Sequence, residues 1–214
     1  MKIKTTLSLA GLLVALLSVS ALLAAPPPSA AGLAQGPYST MHMLLEKTFL
    51  KVDVLTVKVR FGKGPHQKLQ QLAQGKQYSD ALGKEIADVA IGSRDALVEL
   101  QFQRDVSLDQ WIDAVRENLQ QAKSAGLIDA GTASKVSNGL PKWFAAIKDR
   151  GYEKNDRLLY RVKAGSLRTV VISAGGRTLV DFTDNDSVAP KVVMASYFAP
   201  GSDFRKPLLK SLFK

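Results

Sequence analysis

Chemistry needs nucleophiles, acids, bases or ligands at workable spacings, and this sequence offers few of them. It has no cysteine and two histidines, His42 and His66. That removes thiolate nucleophiles, disulfides and zinc–thiolate centres, and leaves no His-rich metal site. A serine on a nucleophile elbow is flanked by glycines two residues away on each side. The nearest approach, KVSNG around Ser137, has only the second of them. Gly75-Lys76 is followed by Gln77, and no glycine stands five residues earlier, so a phosphate-cradling loop is absent. Asp181, Asp184 and Asp186 crowd the stretch DFTDNDS, but a calcium loop also requires a turn glycine and a closing glutamate. Their expected work is to end a strand and cap the helix after Ser187. The pattern points to no metal, no cofactor and no standard catalytic set.

One large side chain stands out instead. In LQFQRDVSLDQWIDAVRENL, Leu100 to Leu119, an alternating strand crosses a charged corner and becomes an amphipathic helix with Trp111 in its first turns. Ala96, Val98, Leu100 and Phe102 alternate with polar residues, which predicts a strand with one buried face. Ser107 followed by Gln110 fits a capping box. Trp111, Val115, Leu119 and Ala122 then share a helical stripe that Gly126 ends. Asp129 opens a further helical run, which Pro141 should kink or restart.

The flanking text completes an α+β order. Thr48 to Gly62 reads as one long strand or two abutting strands after a linker ending near Pro37, and GKGPHQ as a turn. Lys68 to Ser93 reads as two short helices broken near Gly75. RLLYRV, LRTVVIS and RTLVDF are three strands joined by KAGS and AGG. Helical text from Val188 to Phe198, the corner APGSD and a basic terminal helix follow. The prediction is an antiparallel sheet with helices laid on one face.

Residues 1–31 have the layout of a secretory leader and its cleavage region, leaving 32–214 as one domain. Lys2 and Lys4 precede an uncharged run, Leu7 to Leu23, and the small-residue stretch AAPPPSAAG. The run falls short of a comfortable bilayer span of ~20 residues; retention as an N-terminal anchor is the alternative to a periplasmic or secreted product. Removing Lys2 and Lys4 lowers the net charge from +10 to +8. No nucleic-acid recognition motif accompanies that charge, so it reads as a solvated basic surface with scope for contact with a membrane surface. The charge does not say whether a protein partner is bound.

From Leu97 to Leu212 the ordered segments resemble the bacterial chalcone isomerase-like proteins. The segments are ALVELQFQRDVSLDQWIDAV, SAGLIDAGTASKVSNGLPKWFAAI, EKNDRLLYRV, GGRTLVDF and VVMASYFAPGSDFRKPLLKSL. LEKTFLKVDVLTVKVRF resembles the family's opening strand pair. The resemblance implies a curved antiparallel sheet, helices layered on it and an apolar cleft between them. Plant enzymes of the family close a flavanone ring, while other members bind fatty acids.

Carried across, the enzymes' guiding arginine falls near Met41 and His42, where no arginine stands, and the first threonine near Asp53. The tyrosine falls at Trp111, the asparagine at Asn118 and the last threonine at Ser196, beside Tyr197. The resemblance thus implies a candidate cleft of Asp53, Trp111, Asn118, Ser196 and Tyr197. An indole has no ionisable hydroxyl and donates only through its nitrogen. The expectation is an exported, non-catalytic protein that binds a hydrophobic small molecule such as a fatty acid. An isomerase with altered residues and a partner-binding module without a ligand are the alternatives.

Overall fold

The computed structural model describes residues 27–28, 38–47 and 52–213, with backbone alone at 47, 52 and 53. Almost all of the expected leader therefore lies outside the described residues. Six strands form one antiparallel sheet in chain order: β1 (Thr40–Lys47), β2 (Val52–Phe61), β3 (Asp95–Phe102), β4 (Arg157–Lys163), β5 (Ser166–Ile172) and β6 (Thr178–Asp184). Between β2 and β3 run α1 (Lys63–Ala73) and α2 (Asp80–Ile91). Between β3 and β4 come α3 (Leu108–Ser124), α4 (Ala130–Trp143) and a 3-10 turn, Ala145–Ile147. After β6 come α5 (Ala189–Phe198) and α6 (Arg205–Ser211). This is the predicted α+β architecture, a curved antiparallel sheet with helices on one face.

Register decides which side chains meet, because partners directly opposite in an antiparallel ladder share a face. One cross-strand row runs Met43–Val57–Leu100–Leu158–Val171–Val180 and is wholly apolar. The next row on the same face runs Met41–Val59–Val98–Tyr160–Thr169–Phe182. These rows form the floor of the core beneath the helices. The opposite face carries ion pairs such as Arg60–Glu99 at 3.0 Å and Arg168–Asp181 at 2.7 Å.

The chain corrects the sequence reading at three places. The first strand starts at Thr40 rather than Thr48: Met41, Met43 and Leu45 point inward while His42, Leu44 and Glu46 are exposed. GKGPHQ is not a turn but the entry to α1, with Pro65 in the first turn, where its missing N–H costs nothing. Pro141 does not restart its helix. It sits in the last turn of α4, which ends two residues later and passes into the 3-10 turn. Among the described residues no helix is long and apolar enough to cross a membrane.

Candidate functional site: a cavity between α3, α4, α5 and the sheet

The start of α3 is fixed as the sequence predicts. Ser107 Oγ accepts from Gln110 N, and Gln110 Oε1 accepts from Ser107 N, both at 3.2 Å. From there α3 packs on α4 and α5, and α5 sits on β4 and β5. The space left between α3, α4 and the sheet is a cavity of about 330 Å³, within the range of small-molecule sites. Leu100, Phe102, Tyr160, Thr169 and Phe182 line it from the sheet. Trp111, Val115, Leu140, Trp143 and Phe144 close it from α3 and α4, and Val192, Val193 and Tyr197 from α5.

The corner after α5 holds this arrangement. Ser202 Oγ stands 3.1 Å from Ser196 O and 3.4 Å from Asn118 Oδ1, tying α5 to α3. Gly201 adopts φ +86°, the conformation that calls for glycine; a Cβ there would also come 2.5 Å from Gln121 Oε1, the movable end of its side chain.

Trp111 is one wall of the cavity. Its ring centroid lies 4.5 Å from that of Phe144 and 5.4 Å from that of Tyr152, which in turn stacks on Phe102 at 4.1 Å. These contacts leave it 5% exposed.

Four of the five candidate residues meet in this one wall: Trp111, Asn118, Ser196 and Tyr197. The side chain of the fifth, Asp53 on β2, lies outside the described residues. Two of the four are already engaged. Asn118 Nδ2 donates to Ala114 O at 3.0 Å, and Ser196 Oγ donates to Val192 O at 2.9 Å. Met41, near which the resemblance would put the enzymes' arginine, is fully buried in the apolar floor, and His42 points to the other face. The floor has no cation there.

No protein-family model matches this sequence, and no characterised protein matches it by sequence. Among solved structures it is similar to an Arabidopsis thaliana fatty-acid binding protein, with a TM-score of 0.51 and 13% identity. The match covers 82% of this chain and 86% of that one. The fold is chalcone isomerase-like.

Within this chalcone isomerase-like fold, two cavity hydroxyls were not singled out by the sequence, Tyr160 and Thr169, which are register partners on β4 and β5. The hydroxyl of Tyr197, already a candidate, approaches from α5. None bonds to a described residue. Burial pushes the Tyr160 phenol up and the Tyr197 phenol well above its ordinary range, the latter with help from nearby Tyr160. Both are therefore neutral hydrogen-bonding groups at any physiological pH. Behind them the Tyr152 hydroxyl is sealed in without a partner. The charged lining is confined to less buried positions: Arg104, Glu117 and Asp203 are exposed and Asp184 is half-buried.

Proposed function

We propose that this chain is an exported, non-catalytic binding protein that holds a hydrophobic small molecule in the cavity beneath α3 and α4. The observation that carries the proposal is the cavity itself. About 330 Å³ is left open between an apolar floor and an aromatic wall, with a few inward hydroxyls. Packed interiors rarely leave such space without use, because each unfilled contact forfeits dispersion energy. An interior plugged by its own side chains, as a ligand-free partner-binding module would have, would not show it. The fatty-acid binding of the structural neighbour supports a ligand with a hydrocarbon chain.

The non-catalytic part rests on what stands at the enzymes' positions. Under the resemblance, buried Met41 stands near the guiding arginine's place and Trp111 at the phenol's. Neither moves a proton, and neither carries a charge to hold an anion. The export part rests on Lys2, Lys4, the apolar run and AAPPPSAAG.

The test is extraction. Protein purified without detergent is weighed intact under native conditions, then denatured and its organic extract identified. One small amphiphile per chain, and a mature N-terminus after the leader, support the reading. Bare protein that also fails to take up long-chain amphiphiles after delipidation refutes it. Turnover of a chalcone well above the spontaneous rate would favour the altered isomerase instead.

A further inference from the structure

We propose that the cavity selects an uncharged amphiphile, one that sets a single neutral oxygen (alcohol, ketone or phenol) against the hydroxyls of Tyr160, Thr169 and Tyr197. The inference rests on the cavity being a ligand site and adds the chemistry of the ligand's polar end.

The apolar floor is interrupted at one place. Every other position in the rows through Val57 and Val59 is apolar, yet Tyr160 and Thr169 stand side by side between Val98 and Phe182. Cross-strand partners bring their Cβ atoms within about 5 Å, so the two side chains leave the sheet together. Tyr160 is 9% exposed, Thr169 1% and Tyr197 7%. None of the three is a sealed orphan, as the Tyr152 hydroxyl is; each opens onto the cavity and bonds to what fills it. Phenylalanine and valine would fill the same shapes without asking for a polar occupant. A ligand oxygen placed among these groups supplies one. It can accept from any of them and, if a hydroxyl, donate to another.

The charge of the lining points the same way. Arg104 is the sole cationic side chain among the described lining residues; it is exposed at the rim, together with Glu117 and Asp203. Asp184 also faces the cavity, where its Oδ1 accepts from Asp186 N at 2.8 Å. The lining thus holds three carboxylates and one guanidinium, although the whole chain is strongly basic. A carboxylate pushed down to the hydroxyls would be desolvated without a cation to compensate. Neutral phenols soften that penalty but do not cancel it. Asn118 and Ser196 carry no charge to offset it, and Ser196 has spent its one donor, Asn118 one of its two, on helix carbonyls.

The experiment compares probes of one chain length on the delipidated protein. Dodecanol, 2-dodecanone, dodecanoate and the tail-only 1-bromododecane are titrated by calorimetry at a mildly alkaline pH where dodecanoate is ionised. The account expects dodecanol and 2-dodecanone to bind about ten-fold or more tighter than dodecanoate. It expects a Tyr160→Phe/Thr169→Val double variant to lose about ten-fold on the two oxygenated neutral probes and little on 1-bromododecane. Equal response of all probes to the double variant overturns the inference. So does tightest binding of dodecanoate with that affinity lost in Arg104→Gln. In both cases the cavity remains a binding site. Failure of every probe, 1-bromododecane included, refutes the binding-site reading itself. The substitutions keep side-chain shape, and a melting curve for each variant confirms folding before titration.

Discussion

Tyr160 and Thr169 face each other across β4 and β5 on the helix-covered side of the sheet, and neither hydroxyl bonds to a described residue. The turn between the strands sets this pairing. Lys163 pairs with Ser166 around a two-residue loop in which Gly165 takes φ +74°, and from that closure the register runs back to Tyr160 and Thr169. Two hydroxyls are thereby placed where a solely structural sheet would carry methyl groups.

In the ligand-free protein those hydroxyls should be a liability. Thr169→Val keeps the shape and removes a polar atom that has no protein partner and faces only the cavity, so unfolding free energy should rise by up to about 1 kcal/mol. Chemical denaturation of the delipidated variant checks this. A loss larger than about 1 kcal/mol would mean that the hydroxyl has a stabilising partner.

Trp111→Ala should cost less than a fully enclosed aromatic. Truncating a large core ring costs about 3–5 kcal/mol, but one side of this indole already borders open space while Phe144 and Tyr152 pack the other. A loss of about 2–3 kcal/mol is expected by denaturant unfolding. A loss at the top of the core range would place Trp111 in the close-packed interior rather than at a cavity wall.

Acid should weaken the fold through Asp156, which is fully buried. Burial alone would raise its pKa. Arg150 at 2.6 Å, with the N–H groups of Glu153 and Ala174 each at 2.9 Å, instead holds it below the ordinary carboxylate value. A depressed native pKa contributes stability that is present above the unfolded value, about 3.9, and lost as pH falls through the folded one. Asp156→Asn should therefore cost about 3 kcal/mol at neutral pH. That gap should narrow as the pH drops below about 4. Melting curves of both proteins across that range test the sign; a gap that widens in acid would contradict it.

What could be read from the sequence follows from how each segment is buried. α3 is amphipathic, so its apolar stripe and capping box are visible in the order of residues, and both Trp111 and the Ser107–Gln110 pair stand where the text places them. β4 and β5 are buried on both faces along most of their length. Alternation then carries no information about which side meets the helices, and Tyr160 and Thr169 stay hidden until register is known. Asn118 and Ser196 fail differently: their positions are legible, but nothing in the sequence shows that each hydrogen-bonds its own helix four residues back. The strand at Thr40 was masked by exposed Leu44, which breaks the polar side of an otherwise regular alternation.

The central claim is that the space beneath α3 is occupied by a hydrocarbon chain, and contact quenching tests it most directly. In a Trp143→Phe background Trp111 is the sole tryptophan, and a dodecyl chain brominated near its middle quenches an indole only on close approach. The account predicts saturable quenching of Trp111 at one equivalent, reversed by an unbrominated competitor. Quenching that rises linearly without saturation, or none while Trp111 remains folded in place, would contradict it.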